Sequence, residues 1–213
     1  LSGKPLRIID IGGGLGQLSA KLAALGHEVV YNDLSENMLV YAQKLAEQES
    51  VSDGIIWYQC PYQDLLKKGL GTFDLVICHA LIEWLAQPEE LLSSLQAFMG
   101  SNGRMSVTFY NQNGLVYRNL MRGNFKVLTN QFSADPGSLT PHTPFKPELI
   151  DEWVGQLSMN VEHSSGIRVF HDYVTNPRGG HFDDSAVIDM ELKHSILEPY
   201  KWLGRYIHYI LQS

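Results

Sequence analysis

The chain has two cysteines among 213 residues, no excess of basic charge, and no apolar run long enough to span a membrane. Each shortage removes a class of protein. Cys60 and Cys78 sit near the ends of apolar runs, where a thiol serves as a small hydrophobe. There is no Cys-x-x-Cys and no His/Cys cluster of zinc spacing, so no metal centre is expected, and a reduced cytoplasmic compartment is. The lack of a membrane-length run reads as a soluble chain with no membrane partner. Leu1 to Pro5 lack the basic start and apolar core of a secretory signal. The chain enters a strand almost at once, which reads as a sequence missing an N-terminal segment.

The net charge of −7 argues against a nonspecific nucleic-acid binder, and DNA is not an expected partner. The charge is uneven. Residues 1–100 hold six Lys/Arg against twelve Asp/Glu, whereas residues 101–213 hold ten against eleven, with six of the eight histidines. The second half is therefore free to present a basic face.

What is present is enough for one α/β domain over residues 1–213. Strand and helix signals alternate as in a parallel sheet. Strands are expected at Leu6–Ile11, Val29–Tyr31, Ile55–Cys60, Phe73–Cys78 and Arg104–Tyr110. Between them, Leu15, Leu18, Leu22 and Leu25 recur at helical spacing before Gly26, Ser35 caps a helix through Glu49, and Glu89–Met99 forms another. Residues 111–147 show no clear periodicity and read as a functional insertion facing the substrate. A helix at Pro147–Leu157, a strand at Val161–Val169 interrupted by Ser164, Ser165 and Gly166, a helix at Ser185–Leu197 and a strand at Tyr206–Leu211 complete the chain. The order predicts a doubly wound, Rossmann-like sheet of seven strands with the last strands antiparallel.

Asp10-Ile-Gly12-Gly13-Gly14-Leu-Gly16 lies between the first strand and the first helix. Backbone must pass close to a ligand there, where a β-carbon would obstruct it. The dinucleotide fingerprint G-x-G-x-x-G fails, because its third glycine would fall at Gln17. Asp33 ends the second strand, seventeen residues after Gly16, where a carboxylate can accept both hydroxyls of a ribose. It can also cap the helix that follows. His79 ends the fourth strand next to the switch point of the sheet and is expected to face the cleft, although a histidine there is often structural. Trp84 reads as packing.

The form D-x-G-G-G-x-G resembles the first motif of S-adenosylmethionine-dependent methyltransferases of class I. The resemblance implies that Gly12, Gly13 and Gly14 admit the methionine part of the cofactor and that Asp10 helps hold its amino group. It also places Tyr62 and Gln63 at the adenine position, with Asp64 either there or capping a helix. The strings His79-Ala-Leu-Ile-Glu83-Trp84, Phe109-Tyr110-Asn111, Gly123-Asn124-Phe125, Gly166-Ile-Arg168-Val-Phe-His171-Asp172-Tyr173 and Leu203-Gly204-Arg205-Tyr206-Ile207-His208 are more specific. Together they resemble the bacterial tRNA 5-carboxymethoxyuridine methyltransferases over nearly the whole chain.

That resemblance implies a methyl ester formed on the carboxylate of 5-carboxymethoxyuridine at the tRNA wobble position, and an N-terminal segment that helps cover the cofactor. A carboxylate is already ionised at neutral pH, so the enzyme has to orient it rather than deprotonate it. Arg168, Arg205, His171 and Tyr110 are the candidates for orientation. Arg168 is otherwise an exposed strand cation, Arg205 a salt-bridge partner, and His171-Asp172 a hydrogen-bonded local pair. Arg118, Arg122 and Lys126, interleaved with Tyr117 and Phe125, are candidates for gripping the anticodon stem-loop through phosphates and unstacked bases. They are otherwise the solvated face of a lid. Two other functions stay open: a small-molecule methyltransferase acting on a quinone precursor or free carboxylic acid, and a non-enzymatic RNA- or partner-binding module with a vestigial cofactor site.

Overall fold

The computed structural model describes residues 3–129, 141 and 143–213. Seven strands form one sheet: β1 (Arg7–Ile11), β2 (Glu28–Asp33), β3 (Ile55–Gln59), β4 (Phe73–His79), β5 (Met99–Tyr110), β6 (Asn160–Ile167) and β7 (Tyr206–Gln212). Their order is β3-β2-β1-β4-β5-β7-β6, and β7 alone runs against its neighbours, pairing antiparallel with both β5 and β6. The expected antiparallel ending is thus one reversed strand inserted between two that share a direction. This insertion decides where the chemistry sits. Tyr110 pairs with Tyr206, and Tyr206 pairs with Ile167. The end of β5, the start of β7 and the end of β6 therefore meet at the edge where β1, β2 and β4 also end.

Alternating side chains give the sheet two apolar faces. The larger core joins Ile9, Val76, Val107 and Tyr209 to Leu91, Leu92 and Leu95 of α4 (Glu89–Gln96) and to Ile150 and Val154 of α7 (Pro147–Gln156). The smaller joins Ile8, Val29, Tyr31 and Ile77 to Leu22 of α1 (Gln17–Ala24) and to Ala42 and Ala46 of α2 (Glu36–Gln48). Ser35 caps α2 as expected, its side chain accepting from Met38 N. β5 begins five residues before the expected Arg104, and its pairing with β4 slips between Phe73 and Leu75.

The stretch read as unpatterned contains two helices, α5 (Gln112–Met121) and α6 (Phe125–Thr129), with α3 (Tyr62–Leu65) and α8 (Asp184–Ser195) elsewhere completing the helices named here. Residues 130–140 and 142 of that stretch lie outside the described residues. Helix α5 shows little polar/apolar contrast in sequence because Tyr117, Leu120 and Met121 are exposed while polar Asn119 is buried with its amide on Leu115 O. Tertiary contact holds it instead. Gly114 lies so close to Gly204 that an added β-carbon would sit 2.4 Å from Gly204 O, and one on Gly166 would sit 2.2 Å from Lys201 O. Backbone cannot yield as a side-chain tip can, and such overpacking costs about 1–3 kcal/mol. Gly166→Ala is expected to lower the melting temperature by roughly 5 °C in scanning calorimetry. An unchanged melting temperature would show that the seam tolerates a methyl group.

Candidate active site

The loop after β1 is tied from below and from the side. Gly13 N donates to Asn32 O at 2.9 Å, and Tyr31 Oη donates to Gly14 O at 2.5 Å. A β-carbon on Gly13 would lie 2.6 Å from the Tyr31 ring, whereas one on Gly14, at φ 54°, would meet nothing within 4 Å. The loop is thus packed against β2 on one side and open on the other, the shape of a backbone cradle. The Asp33 carboxylate accepts from Gly14 N at 2.9 Å and from Ser35 N at 2.8 Å, so it ties the glycine loop to the residue that caps α2. Each oxygen keeps a second lone pair for a ligand hydroxyl. Asp10 lies beneath the loop, buried, accepting from Ser19 Oγ at 2.6 Å. Burial pushes its carboxyl up to about 6.

Three expected contacts are arranged differently. The Tyr62 ring is buried in the larger core, so of the pair expected at an adenine position only Gln63 is exposed. Asp64 pairs with Lys67 at 2.7 Å. His79 does not reach into the cleft. Its Nε2 lies 2.8 Å from Ser106 Oγ, which lies 2.8 Å from His208 Nε2, so the imidazole leans back over the sheet. Burial lowers His79 to about 4 and moves His208 below its ordinary value, so the charged form is disfavoured in both rings. Trp84, expected in the packing, is 44% exposed.

At the far side of the same edge, three arginines converge on one carboxylate and a fourth reaches the backbone of the same residue. The Asp172 side chain is 7% exposed. Its carboxylate forms an ion pair with Arg168 Nη2 and lies 3.5 Å from Arg205 Nη1 and 3.8 Å from Arg118 Nη1. Arg122 Nη2 donates to the Asp172 backbone carbonyl at 2.6 Å. Tyr110 lines the same small cavity as Arg118, Asp172 and Arg205. Its hydroxyl and Arg205 Nε are buried without a hydrogen-bond partner. Burial raises the Tyr110 phenol above its ordinary value, while Arg118 and Arg205 pull it back.

The division of these cations into an orienting pair and a separate RNA pair therefore gives way to one cluster. Lys126, on α6, is exposed and is not among the ion-pair partners of Asp172 in the described residues. His171 stacks on His181, with ring centroids 5.2 Å apart, and is not paired with Asp172.

A methyltransferase domain model matches residues 9–105. The chain is 35% identical over 204 residues to the tRNA 5-carboxymethoxyuridine methyltransferase of Escherichia coli K12, spanning 95% of this chain and 78% of that protein. The chain belongs to the tRNA 5-carboxymethoxyuridine methyltransferase family. It is an S-adenosylmethionine-dependent methyltransferase. A ubiquinone biosynthesis O-methyltransferase of Coxiella burnetii (strain RSA 493) is 27% identical over 168 residues, 78% of this chain and 68% of that one. Among solved structures, the magnesium protoporphyrin IX methyltransferase of Synechocystis PCC 6803 with bound SAH superposes with a TM-score of 0.64 at 19% identity, covering all of this chain and 76% of that one. PKMT2 of Rickettsia typhi in complex with AdoHcy gives 0.65 at 14%, over all of this chain and 49% of that one. Both share the class I methyltransferase fold.

In this family member one buried acid stands out that sequence reasoning passed over. Glu83 is 1% exposed, and neither carboxylate oxygen has a hydrogen-bond partner. Burial pushes it up from 4.5 to about 7, and the backbone N–H groups of Glu83 and Tyr110 offset part of the rise without forming aligned hydrogen bonds. A raised carboxyl pKa means that ionisation opposes folding. The opposition is absent below the unfolded value near 4.5, grows through the folded value near 7, and is constant above it. Glu83→Gln is therefore expected to be more stable than the parent by roughly 3 kcal/mol at pH 8, with the gap closing toward pH 4.5. Thermal melts at both pH values check this. A gap that does not vary with pH would place the ionisation of Glu83 elsewhere.

Proposed function

We propose that this chain methylates the carboxylate of 5-carboxymethoxyuridine at the wobble position of tRNA, in the cytoplasm, holding the anticodon stem-loop as it does so. The observation that carries the reading is the group of four arginines around Asp172, on the edge of the sheet where the glycine loop also opens. S-adenosylmethionine supplies an electrophilic methyl group when bound. The residues present fit it: the open side of Gly14 lets backbone approach the methionine part, and Asp33 has lone pairs for the ribose hydroxyls. Asp10 braces the loop from below, and Gln63 lies where the base would be met.

The nucleophile needs no base. A carboxylate oxygen, already ionised, would take the methyl group in line, with the electron pair of the broken methyl–sulfur bond left on the cofactor's sulfur, so no proton would have to move. Arg168 and Arg205 are placed to orient the carboxylate, and the unpartnered Tyr110 hydroxyl offers one more donor. A phenolic quinone precursor would instead require a base to take its proton. The cluster supplies cations, and His79 and His208 are both occupied by Ser106.

The test uses labelled cofactor and tRNA from cells lacking this activity. Label is expected only in tRNAs bearing 5-carboxymethoxyuridine, and brief alkali is expected to release it as methanol, because a methyl ester is hydrolysed whereas an N-methyl base or a ribose ether is not. Label that survives alkali would overturn carboxylate methylation.

A further inference from the structure

The cluster holds more positive charge than a carboxylate needs, and methyl transfer makes the excess a disadvantage. The substrate carboxylate is anionic before the reaction and a neutral ester after it. A guanidinium on that anion therefore binds the ground state more strongly than the transition state, which slows the chemical step. An arginine fork also withdraws the electron density that attacks. Some cationic grip is required to orient the nucleophile, and any beyond that opposes reaction. We propose that Asp172 is the positioning residue that divides the charge of these arginines, so that the substrate carboxylate is held without being dulled. The inference rests on the reading above that the nucleophile is a carboxylate.

Three observations support it. The Asp172 carboxylate is the single acid facing Arg168, Arg205 and Arg118 among the ion pairs of the described residues. Its own distances are graded, closest to Arg168, then 3.5 Å to Arg205 and 3.8 Å to Arg118, so N–H donors remain on the latter two for a second anion. Its placement is also built rather than incidental. Glu191 of α8 accepts from three successive backbone N–H groups, Val169 at 2.7 Å, Phe170 at 3.2 Å and His171 at 2.8 Å. That clamp follows Arg168, which holds the left-handed conformation at φ 59°. On the other side Tyr173 Oη donates to Leu203 O, with Gly114 O 3.2 Å away. Asp172 is thus fixed between two anchored neighbours, and its side chain turns inward to the cations.

Asp172→Asn keeps the shape and one acceptor but removes the charge. Dissociation constants for tRNA bearing 5-carboxymethoxyuridine and single-turnover rates of methyl transfer separate the outcomes. The variant is expected to bind this tRNA about threefold or more tighter and to transfer methyl about tenfold or more slowly. A residue that merely holds the turn would weaken binding and slow transfer together, and that result would overturn the proposal. Because removing one partner of a buried ion pair can unfold a protein, Arg118→Gln provides the converse test. Taking away one cation is expected to weaken binding of this tRNA and to move the balance of binding against single-turnover rate in the opposite sense to Asp172→Asn, and a shift in the same sense would overturn the proposal. If the parent enzyme itself transfers no alkali-labile methyl group to this tRNA, the carboxylate reading fails and the proposal falls with it. If the parent does so and the variants do not diverge, the proposal alone fails.

Discussion

Replacing Arg168 and Arg205 together by alanine is expected to slow methyl transfer to tRNA by about 100-fold or more while leaving cofactor affinity unchanged. Hydrogen bonds to charged groups contribute about 1.5–3 kcal/mol each. Two such groups could account for a factor between ~10² and ~10⁴ if they acted independently. They do not, since both face Asp172, and residues in one ion-pair network couple. The lower part of that range is therefore expected. Orientation is the mechanism: a carboxylate without its cations samples poses out of line with the methyl group. Single-turnover transfer of labelled methyl measures the effect, and calorimetry with the cofactor provides the control. The control should not move, because the glycine loop and Asp33 make their bonds to each other and to α2. If the double variant transfers methyl at the parent rate, the carboxylate is oriented from another part of the edge.

Asp33→Ala is expected to weaken cofactor binding by about 100-fold, with the fold retained by circular dichroism. Loss of the ribose contact alone accounts for roughly tenfold or more. A second effect adds to it. The same carboxylate holds Gly14 N and Ser35 N, so alanine also frees the loop that shapes the cradle and one N–H at the start of α2. Asp33→Asn retains one acceptor oxygen and should fall between the two proteins. Isothermal titration measures all three. Equal affinities would remove the ribose role from Asp33 and leave it as a loop brace.

The glycine loop and Asp33 were legible in the sequence because their geometry is local. Glycines at successive left-handed or crowded positions can be recognised without knowing what surrounds them, and Asp33 follows the loop by the length of one helix and one strand. All seven strands were likewise placed from the sequence: apolar runs mark the buried ones, whereas β6 is a largely exposed edge strand. What the chain could not declare locally is which way a residue at a strand end turns. Tyr62 went into the core and His79 onto Ser106 because packing and hydrogen bonding over the sheet outweighed the cleft. Helix α5 escaped notice because Gly114 at a backbone crossing holds it, rather than an amphipathic face.

That the arginines around Asp172 form one cluster was decided by the tertiary structure alone. Arg118, Arg168 and Arg205 lie on separate elements far apart in sequence, and each reads singly as an ordinary surface cation. Reversed β7, inserted between β5 and β6, brings the ends of three strands to one edge and the three guanidiniums to Asp172. A charge carries no mark in sequence of the partner it will meet. Strand order is set by the burial of both sheet faces at once, which is a property of the whole chain and not of any segment of it.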